Sequence, residues 1–426
     1  MSVDYRPMWT KLGLNLEKHD SLLEAVGQMY GGTFLSQKNR PAGMAYFDFV
    51  MSEVHGLRIQ EIVSARDSGR IVVGSYCTYV PEEIILALDG VSVGLCAGAE
   101  WATDAAERYV PRNTCALIKS AFGFAADKVC PYLAVSTLVV GENTCDGKKK
   151  GWESFQTLVP NLYVIDLPQK KSEEGRALLR KEYQRFAEKL TELAKKPLTV
   201  DKLKAAIQTV NAKRSAMHRL DTLRSADPAP ISGLDALLAN QVFFYDDPLR
   251  FTDSMNKICD ELEERIAKKE GVAAAGAPRL VVSGCPMAVP NWKIHSIVEQ
   301  AGAVVVGDES CVGARGTQGL TDSAPNTVDG LMEAIVDRYL KIDCAIFSPN
   351  PTRLEHLRSI AQDAQADGVL LYNLQFCTPY LMESQGFETK LETGKIPALR
   401  IDTDYSNSDT GQLKTRIEAF IERISR

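Results

Sequence analysis

The apolar residues of the chain fall into short β-branched runs that alternate with longer helical stretches. Residues 1 to about 65 differ, since they are mostly polar and show a helical period at Leu22-Leu23, Ala25-Val26 and Met29. The clearest strand-like runs cover residues 70–74, 90–94, 137–141, 279–283, 303–307, 344–347, 368–372 and 396–401. This alternation predicts an α/β fold with parallel sheets behind an additional N-terminal helical region.

A charged helical region from about residue 172 to residue 225 is interrupted at Pro197, and apolar residues repeat along it every three or four positions. The Ala- and Gly-rich residues 271–278 then indicate a domain boundary. We therefore expect three parts. They are an N-terminal helical region (1–65), a first α/β domain that includes the long helical segment (66–270) and a second α/β domain (278–426).

The two α/β parts resemble each other in sequence. Residues 70–77 parallel residues 279–285, since each combines a β-branched run with a following cysteine, and residues 138–145 parallel residues 304–311 in the same way. The chain is accordingly predicted to contain two similar doubly wound domains of the flavodoxin or Rossmann type.

Composition restricts the function classes. The hydrophobic content of 45% and charged content of 24% are typical of a globular protein, and the net charge of −6 disfavours nucleic-acid or anionic-membrane partners. No apolar run reaches the roughly 18 residues of a membrane span, and the N-terminus has no signal-peptide pattern. A cytoplasmic location is expected, where thiols stay reduced, so the ten cysteines are not expected to form disulfides.

Most of the cysteines come directly after a predicted strand: Cys77, Cys96, Cys145, Cys285, Cys311 and Cys377. Ligands of open parallel sheets collect outside the carboxyl ends of the strands, so these thiols can converge. Cys115 and Cys130 join Cys77, Cys96 and Cys145 in turn-like sequence within 69 residues, which favours ligation. Cys259 and Cys344 lie in apolar segments and are expected to be buried core thiols.

The nature of the metal stays open at this point. No Cys-x-x-Cys pair occurs, and none of the five histidines lies next to a cysteine that is predicted to be a ligand. Zinc sites usually contain close pairs of ligands, so zinc is disfavoured.

Four segments resemble the 2-hydroxyacyl-CoA dehydratase superfamily: Asn143-Thr-Cys-Asp-Gly147, Gly307-Asp-Glu-Ser-Cys-Val-Gly-Ala-Arg315, Phe376-Cys-Thr-Pro379 and Thr415-Arg-Ile-Glu-Ala-Phe-Ile-Glu422. The resemblance extends over about residues 65 to 426. It implies two α/β domains that hold one [4Fe–4S] cluster on three cysteines, with one iron left open. By position these would be Cys115, Cys145 and Cys377.

A narrower resemblance is to the double-cubane cluster proteins of that superfamily. It is carried by Cys77-Thr-Tyr-Val-Pro-Glu-Glu83, Gly94-Leu-Cys-Ala-Gly98, Pro111-Arg-Asn-Thr-Cys115, Lys119-Ser120 with Gly123-Phe124, Cys130-Pro-Tyr132 and Thr144-Cys-Asp-Gly-Lys-Lys-Lys150. It implies an [8Fe–9S] cluster on six cysteines, which would be Cys77, Cys96, Cys115, Cys130, Cys145 and Cys377. The choice of Cys377 over Cys285 or Cys311 rests on the resemblance.

The sequence contains no Gly-x-x-x-x-Gly-Lys-Ser/Thr phosphate loop, so coupled ATP hydrolysis is expected on another protein. The resemblance implies that this partner is an ATP-dependent [4Fe–4S] reductase, and that the chain forms a homodimer. Such a protein would receive low-potential electrons and reduce small molecules.

Proton donors are harder to identify. Glu142 and Asp146 flank Cys145, and Lys148 begins a run of three lysines. A solvated loop is the simpler interpretation of that run, and a docking surface for the reductase is another. Glu82 and Glu83 most simply supply negative charge at a helix N-terminus. Arg315 is expected either to bind an anion or to tie loops together.

Three functions therefore remain open. The first is a double-cubane reductase, the second is a [4Fe–4S] subunit that eliminates water from a 2-hydroxyacyl-CoA, and the third is a non-enzymatic cluster carrier.

Overall fold

Two four-stranded parallel sheets organise the protein in a computed structural model that describes residues 3–425. The eight strands are β1 (Val72–Ser75), β2 (Val91–Gly94), β3 (Leu138–Glu142), β4 (Leu162–Ile165), β5 (Arg279–Gly284), β6 (Val304–Glu309), β7 (Gly368–Leu374) and β8 (Ala398–Thr403). The spatial orders are β2-β1-β3-β4 and β6-β5-β7-β8, which are the same topology. The predicted fold of two similar doubly wound domains is confirmed.

Helices surround both sheets and form the N-terminal region. They are α1 (Arg6–Lys11), α2 (Leu16–Tyr30), a π-helical turn (Gly31–Leu35), α3 (Met44–Ser52), α4 (Leu57–Asp67), α5 (Glu82–Ala87), α6 (Thr103–Ala106), α7 (Ala116–Ala126), α8 (Pro131–Val135), α9 (Asp146–Phe155), α10 (Glu173–Ala194), α11 (Val200–Leu223), α12 (Gly233–Val242), α13 (Pro248–Ala267), α14 (Lys293–Gln300), α15 (Ala314–Thr317), α16 (Val328–Tyr339), α17 (Pro351–Asp363), α18 (Thr378–Thr393) and α19 (Thr410–Ile424).

One predicted strand is wrong. Residues 344–347 form turns instead, although Cys344 and Phe347 are buried as an apolar strand would be. They are buried because both side chains pack into an apolar cluster that also contains Tyr79 and Tyr339. The fourth position of the second sheet is taken by β8. Strand β4, which the pattern did not reveal, takes the same position in the first sheet.

The long helical region is divided at Pro197 as predicted. Ser172 caps α10 by accepting a hydrogen bond from the Gly175 amide, and Thr199 caps α11 in the same way. Most of the predicted apolar face of α10 is buried, with Leu179 and Tyr183 fully enclosed. Leu178, another apolar residue of this helix, is 38% exposed.

The second internal sequence match relates strands that are not equivalent. Residues 138–145 contain β3, which is the third strand of its sheet in chain order. Residues 304–311 contain β6, which is the second strand of the other sheet in chain order. Buried parallel strands share the same β-branched composition, so such a match arises without equivalence. The first match, between residues 70–77 and 279–285, does join the equivalent strands β1 and β5.

One continuous apolar core connects the N-terminal helices with both sheets. It includes Phe34 from the π-helical turn, Val139 from β3 and Val282 from β5. The Phe34 ring packs edge-on against Trp292, with ring centroids 5.0 Å apart. Boundaries near residues 65 and 270 therefore remain a prediction. Within residues 3–425 no helix has both the length and the apolar character needed to cross a bilayer.

A thiol-lined cavity as the candidate active site

Loops that follow strands of both sheets enclose a cavity of about 550 Å³, called here the central cavity. Eight of the ten cysteines line it: Cys77, Cys96, Cys115, Cys145, Cys285, Cys311, Cys344 and Cys377. No disulfide joins them. The prediction that cysteines at strand ends converge is confirmed.

Strand geometry explains why these thiols meet. In chain order, the first strand of each sheet lies between the second and the third. The switch point of the sheet, where ligands of doubly wound folds bind, is therefore between the first and third strands. Cys96 and Cys311 are each the second residue beyond the second strand of their sheets. Cys145 and Cys377 are each the third residue beyond the third strand. The two domains thus contribute thiols from equivalent positions to the lining of one cavity.

Cys115 reaches the cavity by a different route, because it occupies the N-cap position of α7. Cys344 was expected to be a core thiol, but it lines the central cavity as well. Cys259 is a core thiol as predicted, with no exposed surface, inside α13.

Cys130 is the one predicted ligand that does not line the central cavity. It lies at the N-cap of α8, where its sulfur accepts a hydrogen bond from the Leu133 amide at 3.4 Å. Burial raises the pKa of Tyr245, a residue of the cavity wall, and thiolates at Cys96 and Cys130 raise it further. Cys130 therefore lies near Tyr245 without lining the cavity.

Thiols from the two domains lie beside each other in the cavity. The neighbouring Cys77 thiol lowers the pKa of Cys311 to about 6, and the Arg315 guanidinium adds to the effect. The neighbouring Cys377 thiol raises the pKa of Cys115. Cys96 has no such thiol partner among the described residues, and burial raises its pKa to about 12.

This donor set suits an iron–sulfur cluster better than a single metal ion. In residues 3–425 no three His, Cys, Asp or Glu side chains are arranged to hold one ion. A cluster needs a different arrangement, because each thiolate binds a different iron and the ligands are spread around the cluster. Eight thiols around the walls of a wide, mainly apolar cavity fit that requirement.

Lys148 and Glu142 form an ion pair at the cavity wall, with Nζ 2.8 Å from Glu142 Oε2. Glu142 is completely buried, and its Oε1 has no hydrogen-bond partner within the described part of the chain. Burial raises the pKa of Glu142, although the Lys148 charge opposes the effect. Lys148 is therefore held at the cavity by a carboxylate that is already desolvated.

The lysine run differs from the predicted solvated loop, since residues 146–155 form α9. Lys148 is turned toward the cavity, whereas Lys149 and Lys150 are exposed. Asp146 also lines the cavity but is exposed at its edge.

Arg315 ties loops together, which is one of the two roles predicted for it. Its guanidinium is buried, donates to Glu309 Oε1 at 2.6 Å and to the Gly284 carbonyl at 3.0 Å, and also contacts the Tyr380 hydroxyl. Arg353 approaches the same carboxylate at 3.1 Å. The network fixes the loops that carry Cys285 and Cys311.

Glu82 and Glu83 lie in the first turn of α5, as predicted, but they do more than supply helix charge. Glu83 is fully buried and pairs with Arg214 at 2.7 Å, and Glu82 pairs with Lys213 at 2.9 Å. Nothing local in the sequence marked Lys213 and Arg214, because their partners lie 131 residues away.

Comparison with known proteins gives a consistent result. Residues 77–424 match the family model described as 2-hydroxyglutaryl-CoA dehydratase, D-component. YjiM of Escherichia coli (strain K12), provisionally named a dehydratase subunit, is 35% identical over 89% of this chain and 98% of its own length.

Two more distant relatives extend the range of reactions. The (R)-phenyllactyl-CoA dehydratase beta subunit of Clostridium sporogenes is 25% identical over 84% of this chain and 92% of its own length. A component of the benzoyl-CoA reductase of Thauera aromatica is 19% identical over the same shares. The chain belongs to the 2-hydroxyacyl-CoA dehydratase superfamily.

Proposed function

We propose that this protein is an iron–sulfur reductase that holds an [8Fe–9S] double-cubane cluster in the central cavity and reduces small molecules. An ATP-dependent [4Fe–4S] reductase would supply the electrons, and the protein would act as a homodimer. The observation that carries the proposal is the convergence of eight free thiols on one cavity at the switch points of two sheets.

The protein would hold the cluster on Cys77, Cys96, Cys115, Cys145 and Cys377 from the cavity wall. The sixth predicted ligand, Cys130, does not line the cavity and would have to turn toward it to bind the cluster. Cys285, Cys311 and Cys344 would remain as additional thiols. When bound, the cluster would store low-potential electrons close to the substrate.

Lys148 is the residue best placed to deliver protons, because its ammonium is at the cavity wall. Its partner Glu142 holds it there through their ion pair. Each electron pair that enters the substrate would be balanced by two protons from solvent. Apolar neighbours such as Ile118 and Val289 would limit the entry of bulk water.

The cavity lining favours a small substrate over a CoA thioester. Among the residues that the structure describes, Asp146 and Lys148 are the only lining residues with formal charges, and Lys148 is already paired. The phosphates of CoA would need basic groups or backbone amides to bind them. Hydroxylamine is a suitable probe, since two electrons and two protons convert it to ammonia and water.

The electron donor would dock over the mouth of the central cavity. Phe376 and Met382 line that mouth and are 50% and 75% exposed, which is unusual for large apolar side chains. Phe376 also adopts φ 65°, a left-handed conformation that bulky residues rarely use, directly before Cys377. An exposed apolar patch beside a thiol ligand suits transient contact with a redox partner.

The second candidate function is a [4Fe–4S] subunit that removes water from a 2-hydroxyacyl-CoA. The names of the dehydratase relatives favour it. Anaerobic turnover with the reductase and ATP separates the two functions. Ammonia formation from hydroxylamine, lost in Cys145→Ala, supports the proposal, whereas dehydration of (R)-2-hydroxyglutaryl-CoA without ammonia formation supports the second candidate.

A further inference from the structure

A second, smaller cavity lies behind the Cys77 wall of the central cavity. This side cavity has a volume of about 40 Å³. It shares Ser75, Cys77 and Thr78 with the lining of the central cavity. On its other side it shares Glu82 and Ser92 with an open groove of about 570 Å³ on the protein surface. The side cavity therefore lies between the central cavity and the surface groove.

Three cations that are almost completely buried line the side cavity: Lys213, Arg214 and Arg338. Lys213 pairs with Glu82 at 2.9 Å, and Arg214 pairs with Glu83 at 2.7 Å. Arg338 makes no ion pair among the residues that the structure describes. Its hydrogen bonds go to two backbone carbonyls, those of Gly316 at 2.7 Å and Gly319 at 3.5 Å.

Three buried cations thus face two carboxylates, so one positive charge is left without a counterion in residues 3–425. An unpaired buried charge is costly, and a bound ion of opposite sign removes that cost. Burial and the neighbouring Arg214 charge lower the pKa of Arg338 to about 10, so it remains charged at neutral pH.

The lining also offers an unused neutral donor. The Thr78 hydroxyl is buried and has no hydrogen-bond partner among the described residues. A water molecule needs roughly 10–15 Å³ of this kind of volume. The side cavity therefore admits a monatomic anion together with a water molecule, but not a large organic anion.

We propose that the side cavity binds a small monovalent anion such as chloride, held by Arg338, Lys213 and the Thr78 hydroxyl. The bound anion neutralises the buried charge next to Cys77. This site goes beyond the proposed function and does not depend on which cluster the protein holds.

Bromide replaces chloride and is visible by anomalous diffraction. Crystals of the full chain would be soaked in sodium bromide, with data collected above and below the bromine absorption edge, so that any iron signal cancels. The proposal expects a bromine peak in contact with Arg338 and Lys213. Water density without a bromine peak at this position would overturn it.

Thermal melting provides a test in solution. Sodium chloride and sodium bromide should raise the melting temperature more than sodium gluconate at equal ionic strength, because gluconate is too large for the cavity. The Arg338→Met variant should lose both the bromine peak and the halide-specific shift. Lys213→Met serves the same purpose if Arg338→Met does not fold.

Lys202→Met is the matched control, because Lys202 lies on the same helix α11 but lines only the outer groove. It should keep the bromine peak and the halide-specific shift. Equal responses of the wild type to halide and gluconate would contradict the proposal, as would a peak that persists unchanged in Arg338→Met.

Discussion

Cys145 and Cys377 occupy equivalent positions in the two domains, each three residues beyond the third strand of its own sheet, and both face the central cavity. The proposed function requires thiols of both domains to bind one cluster, and these two equivalent positions supply one thiol from each domain. Both residues also belong to the smaller ligand set that the resemblance implied, so every cluster hypothesis for this protein requires them.

Replacing either residue should therefore remove iron under both cluster hypotheses. We expect Cys145→Ala and Cys377→Ala to lose at least about half of their iron when reconstituted without oxygen, as measured by colorimetric iron analysis, because each variant removes a ligand of one cubane or of the single cluster. Cys259→Ala is the control, because that thiol is buried inside α13 away from the cavity. Full iron retention in Cys377→Ala would show that the second domain contributes no ligand at this position.

Cys77 and Cys96 distinguish the two types of cluster. A double cubane on six cysteines should lose about half of its iron in Cys77→Ala or Cys96→Ala, because one cubane loses a ligand. Cys285→Ala, which removes a cavity thiol outside the predicted set, should retain all of its iron. A Cys77→Ala protein with undiminished iron would instead fit one [4Fe–4S] cluster on Cys115, Cys145 and Cys377.

The Lys148–Glu142 pair should contribute strongly to stability. The Lys148→Met variant leaves Glu142 buried without a counterion, and we expect a loss of about 3 kcal/mol in the free energy of unfolding. The double variant Glu142→Gln with Lys148→Met should recover part of that loss, since no buried charge remains. Urea denaturation measures both, and equal losses in the two variants would contradict this account.

Glu83 predicts a specific dependence of stability on acid pH. Although burial acts in the opposite direction, the Arg214 and Arg338 charges lower its pKa from 4.5 to about 2. A carboxylate whose pKa is lowered by folding stabilises the protein above its unfolded pKa, and this contribution is lost as the pH falls toward 2. The contribution is on the order of 3 kcal/mol, from 1.36 kcal/mol per pKa unit.

Glu83→Gln should remove this contribution. The free energy of unfolding of the variant should lie below that of the wild type at neutral pH, and the difference should shrink between pH 4.5 and pH 2. Denaturant titrations at several pH values measure the difference. A constant difference over that range would mean that Glu83 does not titrate as its ion pair requires.

The fold was largely predictable, because buried parallel strands have a strong local signal. β1 and β5 stand out as β-branched runs that are mostly buried, whereas β4 is partly exposed over three of its four residues. The apolar run at residues 344–347 shows the limit of the signal, since its burial comes from loop packing and not from a ladder. Burial alone therefore does not distinguish a buried strand from a buried turn.

The site was predictable where strand ends determine it. Position after a strand placed Cys145 and Cys311 correctly, and the same rule gave no information about Cys344, which reaches the cavity from a turn. Cys130 was selected by its turn-like sequence and by the resemblance, and it does not line the central cavity. The side cavity around Arg338 and Lys213 is formed by segments that are far apart in the chain, so no local sequence pattern predicts it.

The metal content of the protein tests the central claim most directly. The protein would be purified and kept without oxygen, and its iron and acid-labile sulfide would be counted per chain. The double-cubane proposal predicts about eight iron atoms and about nine sulfides. About four of each would contradict it in favour of a single cubane, and the absence of iron after anaerobic reconstitution would contradict the assignment of the central cavity as a cluster site.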